Sequence, residues 1–214
     1  MKKIYITLFV ASIIFLFSFS ASADLLYDNG VPLPGVHGVN INGGYGIVNS
    51  FALTENSKVE SVEITIWDQG RGGITGQLTW GILPSKDSNI SDGIAFGNVG
   101  SWGLTNTIIG QDTSNNTTFN LIETTFNIAP TELDAGTTYW LSISGATGSG
   151  YGEYWARTNT NSTQAYDQYS SSFLIGGDAF RIYGTPAPVP EPATMLLLGS
   201  GLIGLAGLWR KFKK

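Results

Sequence analysis

The sequence predicts an all-β domain, an antiparallel β-sandwich of jelly-roll or immunoglobulin-like kind, flanked by an N-terminal signal peptide and a C-terminal transmembrane helix. Three observations predict it. Short runs of β-branched and aromatic residues are punctuated by Gly, Ser, Thr and Asn, and no stretch shows helical apolar spacing over three turns. An uncharged apolar run lies near each end. The middle, 24–184, has no Cys yet is long enough to bury a core unaided, since chains of about 150 residues bury roughly 70% of their unfolded surface.

The N-terminus comes first. Met1-Lys2-Lys3 is a cationic leader, Ile4 to Phe19 is apolar, and Ala21-Ser22-Ala23 supplies the small residues that signal peptidase accepts, which sets residues 1–23 as the signal peptide. Cleavage is expected before Asp24. The alternative is an uncleaved anchor, but the 16 residues make a helix of only about 24 Å against a hydrocarbon core of ~30 Å.

Within the domain the clearest strand is Val59 to Trp67, where Val62, Ile64 and Ile66 share one face and Ser61, Glu63 and Thr65 the other. Gln77 to Leu83 follows, with Leu78, Trp80 and Ile82 on one face. The Gly-rich stretch from Trp67 to Gly76 reads as a long turn pairing these two strands as a hairpin. Further strands are expected at Gly46 to Leu53, Thr117 to Ile128, Thr138 to Ser144, Tyr151 to Thr158 and Ala179 to Tyr183. Leu133 to Thr137 supplies a turn before Tyr139, Leu141 and Ile143, which share a face. There is no fixed-period repeat, so a solenoid is not expected.

The C-terminus has three parts: a Pro-rich linker, residues 185–192, containing Pro190, Glu191 and Pro192; the apolar run 193–209; and the basic tail 210–214 with Arg210, Lys211, Lys213 and Lys214. Proline fixes φ and pushes its predecessor out of the helical region, so the Pro-Glu-Pro segment is extended and fits a processing groove. Ala193 to Trp209 makes a helix of about 25 Å, which spans if Trp209 sits at the interface and the lysines reach the headgroups. The basic cluster then stays cytoplasmic.

The run Val-Pro-Glu-Pro-Ala-Thr-Met-Leu-Leu-Leu-Gly-Ser-Gly-Leu-Ile-Gly-Leu-Ala-Gly-Leu before basic residues closely resembles the PEP-CTERM sorting tail. That resemblance implies recognition by an exosortase, a membrane cysteine protease or transpeptidase of Gram-negative bacteria that also make exopolysaccharide, with cleavage near Pro190, Glu191 and Pro192. The plain alternative is a C-terminal anchor behind a Pro-rich linker. The segment Phe51 to Gly145 is also similar to β-sandwich domains that precede such tails, and that likeness implies no activity.

Charge and residue types narrow the function. The middle holds 5 basic and 15 acidic residues, a net −10, which disfavours a nucleic-acid partner because phosphate binding needs a basic face. Nucleophilic catalysis lacks a thiol, and the single His, His37, lies in a Gly-rich loop with no triad pattern around it. No cofactor or metal is expected. Asp28-Asn29-Gly30, the Asp87, Asn89 and Asp92 group, and Gly177-Asp178 read as turns rather than calcium loops. Glu60 and Glu63, three apart on a strand, are expected on opposite faces.

If Tyr151 to Thr158 is one strand, then Tyr151, Glu153, Trp155 and Arg157 line one face, which offers aromatic surface and hydrogen-bonding groups to a sugar. The same pattern describes an ordinary half-exposed strand. The expected function is therefore a non-enzymatic cell-surface or extracellular-matrix protein. Its partners are signal peptidase and the Sec machinery, the inner membrane transiently, an exosortase-type enzyme, and exopolysaccharide. A carbohydrate-binding module is the alternative, and a polysaccharide-active enzyme the third reading.

Overall fold

The computed structural model describes residues 23–35, 38–43, 45–69, 72–114, 116–148, 152–158, 165–167, 172–174 and 176–187. They form strands β1 (Asp24–Asp28), β2 (Val39–Asn40), β3 (Gly46–Ala52), β4 (Ser57–Asp68) and β5 (Gln77–Leu83). β6 (Ala95–Gly100), β7 (Leu104–Ser114), β8 (Thr117–Leu133) and β9 (Thr138–Ser144) follow. The short strands β10 (Glu153–Trp155), β11 (Arg157–Thr158), β12 (Ala165–Asp167), β13 (Ser172–Leu174) and β14 (Gly177–Asp178) lead to β15 (Phe180–Pro186).

The ladders between strands are antiparallel, as expected. In the first sheet β8 runs along one edge of β4, and β7 lies outside β8. Along the other edge β4 pairs first with β15 and then, over Ile66 to Asp68, with β10. β1 lies outside β15 and β2 outside β10. The second sheet has the order β13-β12-β3-β9-β5-β6. One apolar cluster takes Ile64, Ile66, Ile122, Phe126 and Ile182 from the first sheet and Ile47, Leu78, Ile82, Leu141 and Ile143 from the second.

Period-two alternation explains those elements. Val62, Ile64 and Ile66 are fully buried, as are Leu78 and Ile82 beside Trp80, and Leu141 and Ile143 beside Tyr139. Burying each such side chain contributes roughly 1.5–3 kcal/mol, so each register is held by several residues at once. Phe51 joins the sheets at one end, with its ring 5.7 Å from Tyr27, 5.9 Å from Tyr139 and 6.2 Å from Phe180. Gly136 takes φ 71° in the turn between β8 and β9, a conformation that glycine adopts without strain.

Three sequence expectations are corrected. β4 and β5 do not form a hairpin: β4 belongs to the first sheet and β5 to the second. Ile74 in the connecting segment is buried in the common core, and its carbonyl accepts from Asn106 Nδ2 at 3.0 Å, so the connection crosses between sheets. The expected strand Tyr151 to Thr158 is broken at Ala156 into β10 and β11, which pair with different neighbours. A β-bulge between Val59 and Ser61 shifts the alternation, so Val59 and Val62 are buried while Glu60 and Glu63 are both partly exposed. Glu60 reaches Thr185 and Glu63 reaches Arg181, both on β15, so the two acids share the outer face rather than opposing ones.

Candidate functional site

The sorting residues Pro190, Glu191 and Pro192, the apolar run 193–209 and the basic residues Arg210, Lys211, Lys213 and Lys214 lie outside the described residues. So do the expected signal peptide up to Ser22, His37 and Tyr151. Among the described residues no helix is long and apolar enough to cross a membrane. What the structure gives is the platform from which the tail departs. β15 lies between β4 and β1 and continues to Pro186, two residues past the expected domain boundary, with Thr185 and Pro186 paired to Lys58 and Ser57. The Ala187 amide then donates to the Asn56 carbonyl at 2.7 Å.

This attachment is tight at Gly184. A Cβ there would meet the Lys58 carbonyl and the Val59 Cα, so the bulge between Tyr183 and Gly184 brings two backbones to a distance that only glycine allows. Asp24, the expected first residue after cleavage, is registered opposite Gly184. Both ends of the domain thus emerge at the same end of the first sheet. Pro190 is three residues beyond Ala187, a reach of about 10 Å at most.

Of the residues expected to form a glycan-binding face, the three described ones, Glu153, Trp155 and Arg157, do not line one open strand face. Glu153 and Trp155 do share a side of β10, but that side faces inward, leaving them 1% and 0% exposed. The Trp155 ring packs edge-on against Phe180 at 5.9 Å, and its indole N–H donates to the Ala179 carbonyl at 2.8 Å. It has no face to offer a sugar. Arg157 lies on β11, across from Asp178 on β14.

Around these residues is a polar seam that sequence reading missed. Asp178 is fully buried; its Oδ2 accepts from Asn49 Nδ2 at 2.9 Å, and its amide donates to Asn49 Oδ1 at 2.9 Å. Asn49 belongs to β3 of the second sheet, so this reciprocal pair ties that sheet to the β14–β15 segment. Asn29 Nδ2 adds a bond to the Asp178 carbonyl at 2.6 Å. Among the described residues nothing hydrogen-bonds to Asp178 Oδ1. Burial pushes the Asp178 carboxyl up to about 7, against the Asn49 hydrogen bond and the Arg157 charge. Glu153 is also raised by burial and by Asp68 across the ladder, opposed by its backbone hydrogen bond and by Asn42.

A second cluster lies on the outer face of the first sheet. Arg181 on β15 contacts Asp28 at 3.3 Å, Glu63 at 2.8 Å and Glu123 at 3.1 Å, joining four strands. Partial burial works against the guanidinium charge, but Glu63 and Asp28 outweigh it and hold the proton more firmly. Burial and the Glu63 charge also raise the Tyr183 hydroxyl. No local pattern signals this cluster, because Arg181 is 118 residues from Glu63 and 153 from Asp28.

Among the described residues no three His, Cys, Asp or Glu side chains are placed to hold a metal ion. Asp87 is bound by Lys86 Nζ at 2.6 Å, and Asp92 accepts from Asn89 at 3.2 Å. Asp28 closes a local turn by accepting from the Gly30 amide at 2.8 Å.

Comparison with known proteins bears on the tail. None of the curated proteins matches the chain. Among solved structures, a CocE/NonD family hydrolase from Staphylococcus aureus is similar at 10% identity with a TM-score of 0.31. The alignment covers 76% of this chain but only 37% of the hydrolase, and so weak a likeness carries no argument about fold or chemistry. A family model described as the PEP-CTERM protein-sorting motif matches residues 188–211. That motif implies export, processing by an exosortase and membrane-transit sorting toward the cell surface. The Pro-Glu-Pro residues, the apolar run and the start of the basic end all fall within the match, and the chain is a PEP-CTERM domain-containing protein.

Proposed function

We propose that this chain is a non-enzymatic protein of the cell surface or extracellular matrix, a β-sandwich delivered by two terminal signals. The signal peptide, residues 1–23, starts export through the Sec machinery and is removed by signal peptidase. The run 193–209 then holds the chain in the inner membrane, with Arg210, Lys211, Lys213 and Lys214 on the cytoplasmic side. An exosortase cuts near Pro190, Glu191 and Pro192 and frees the domain.

The observation that carries this reading is the family match at residues 188–211. The placement of Asp24 beside Gly184 supports it, since both processing sites then lie at one end of the folded domain. The non-enzymatic part is supported by the state of the acids: Glu153 is buried, and Glu63, Glu123 and Asp28 are each engaged by Arg181. Glycan binding through Tyr151, Glu153, Trp155 and Arg157 is not part of the proposal, because the Trp155 ring is enclosed.

The test is the triple substitution Pro190→Ala, Glu191→Ala, Pro192→Ala in the native host. The variant is expected to stay in the membrane fraction with its tail attached. Release at the wild-type level would refute the reading.

A further inference from the structure

We propose that two copies of this chain associate by pairing their β7 edges antiparallel over Leu104–Ile108, which runs the first sheet through both molecules. β7 is hydrogen-bonded to β8 on one side only; among the described residues no strand pairs with its other side. That edge presents a row of unpaired backbone groups, the usual template for another strand. Its far end is already engaged, because Asp112 Oδ2 accepts from the Gly35 amide at 2.6 Å. The stretch before the bulge at Ile108–Gly110 is regular and open.

Charge makes this edge the face on which a second copy can approach without repulsion. The middle of the chain is strongly acidic, so two copies repel through most of their surface. Residues 93–111 hold no charge at all. Within them lie Ile94, Phe96, Trp102, Ile108 and Ile109, most of the large apolar side chains left exposed among the described residues, with Trp102 at 93% and Ile108 at 58%. Exposed apolar side chains along an uncharged stretch of chain favour association there.

The geometry closes. A two-fold axis at Asn106 sets Leu104 of each copy opposite Ile108 of the other, and this isologous pairing uses up both edges, giving a dimer rather than a filament. About four to six backbone hydrogen bonds form in symmetry-related pairs, and Ile108 loses its water. β15, from which the tail departs, is three strands away, about 14 Å, so copies standing side by side on a membrane can still pair.

The test is sedimentation equilibrium of the full-length chain in a mild detergent, beside Ile108→Lys and Thr107→Lys. Both positions are exposed, so near-ultraviolet circular dichroism of both variants is expected to match wild type. Wild type is expected to be dimeric, and either lysine to weaken dimerisation at least tenfold, because pairing would strip water from a charge placed in an uncharged, apolar edge. A wild type that stays monomeric at its highest soluble concentration would overturn the proposal. So would a dimer that persists in both variants, since another surface or the tail would then be holding it.

Discussion

Replacing Asp178 with asparagine tests whether the seam between the sheets holds a protonated acid. The carboxyl sits at about 7 against an ordinary value of 3.8, a raised acid. Below about pH 3 the folded and unfolded chains are both protonated and the group contributes no pH dependence. As pH rises from 4 to 7 the unfolded chain releases the proton while the folded chain keeps it, so stability falls. At about 1.36 kcal/mol per unit, the shift of roughly 3 units removes ~4 kcal/mol by pH 8, about 3 of it between pH 4.5 and 8. The asparagine side chain of Asp178→Asn cannot ionise, and its oxygen can still accept from Asn49 Nδ2. The amide brings its own cost, about 1–3 kcal/mol if a donor is left unpaired, but that cost is the same at both pH values. Urea unfolding of wild type and Asp178→Asn at pH 4.5 and pH 8 therefore isolates the proton. The difference between the two proteins should move by about 3 kcal/mol in favour of the variant between those conditions. If it does not change with pH, Asp178 is ionised in the folded protein and the reasoning fails.

The enclosed Trp155 gives a second prediction: Trp155→Ala should cost about 3–5 kcal/mol through the cavity beside Phe180 and the lost indole hydrogen bond, read from urea midpoints. Arg181→Met leaves Glu63, Glu123 and Asp28 without their shared cation and should cost about 1–3 kcal/mol at low salt. Part of that loss should return in 1 M NaCl, where the Debye length is about 3 Å; an identical loss at both salt concentrations would contradict a charge origin. Gly184→Ala forces a methyl group against the Lys58 carbonyl and should lower the melting temperature by several degrees, since about 1–3 kcal/mol of overpacking strain shifts a domain of this size by ~2–4 °C per kcal/mol.

The parts of the fold legible in the sequence are those where alternation is strong. Gln77–Leu83 and Thr138–Ser144 fall where their apolar positions place them, because a one-residue slip would turn Leu78, Trp80 and Ile82, or Leu141 and Ile143, out of the core. β7 is not legible. As an edge strand it buries little, and Thr-Asn-Thr-Ile-Ile-Gly-Gln carries no period for burial to enforce. β6 is hidden by its two glycines. The hairpin expected after Trp67 fails because turn residues show that a chain bends but not which sheet it reaches next; buried Ile74 decides that.

The tail is readable because its meaning lies in a linear order of residue types. Alternation correctly puts Glu153 and Trp155 on one side of a strand, but four residues do not say which side faces the core. The acid suggests solvent, yet the packing of Trp155 on Phe180 turns both inward. The Arg181 network and the Asp178–Asn49 pair join residues more than 50 positions apart, and local sequence holds no trace of either.

The central claim is that the C-terminal segment is an address that is read and removed. Intact-mass measurement of the protein recovered from outside native cells tests it most directly. The account predicts a chain that begins at Asp24 and ends near Pro190-Glu191-Pro192, lacking the apolar run and the basic end. An exported chain still carrying Phe212-Lys213-Lys214 would contradict it.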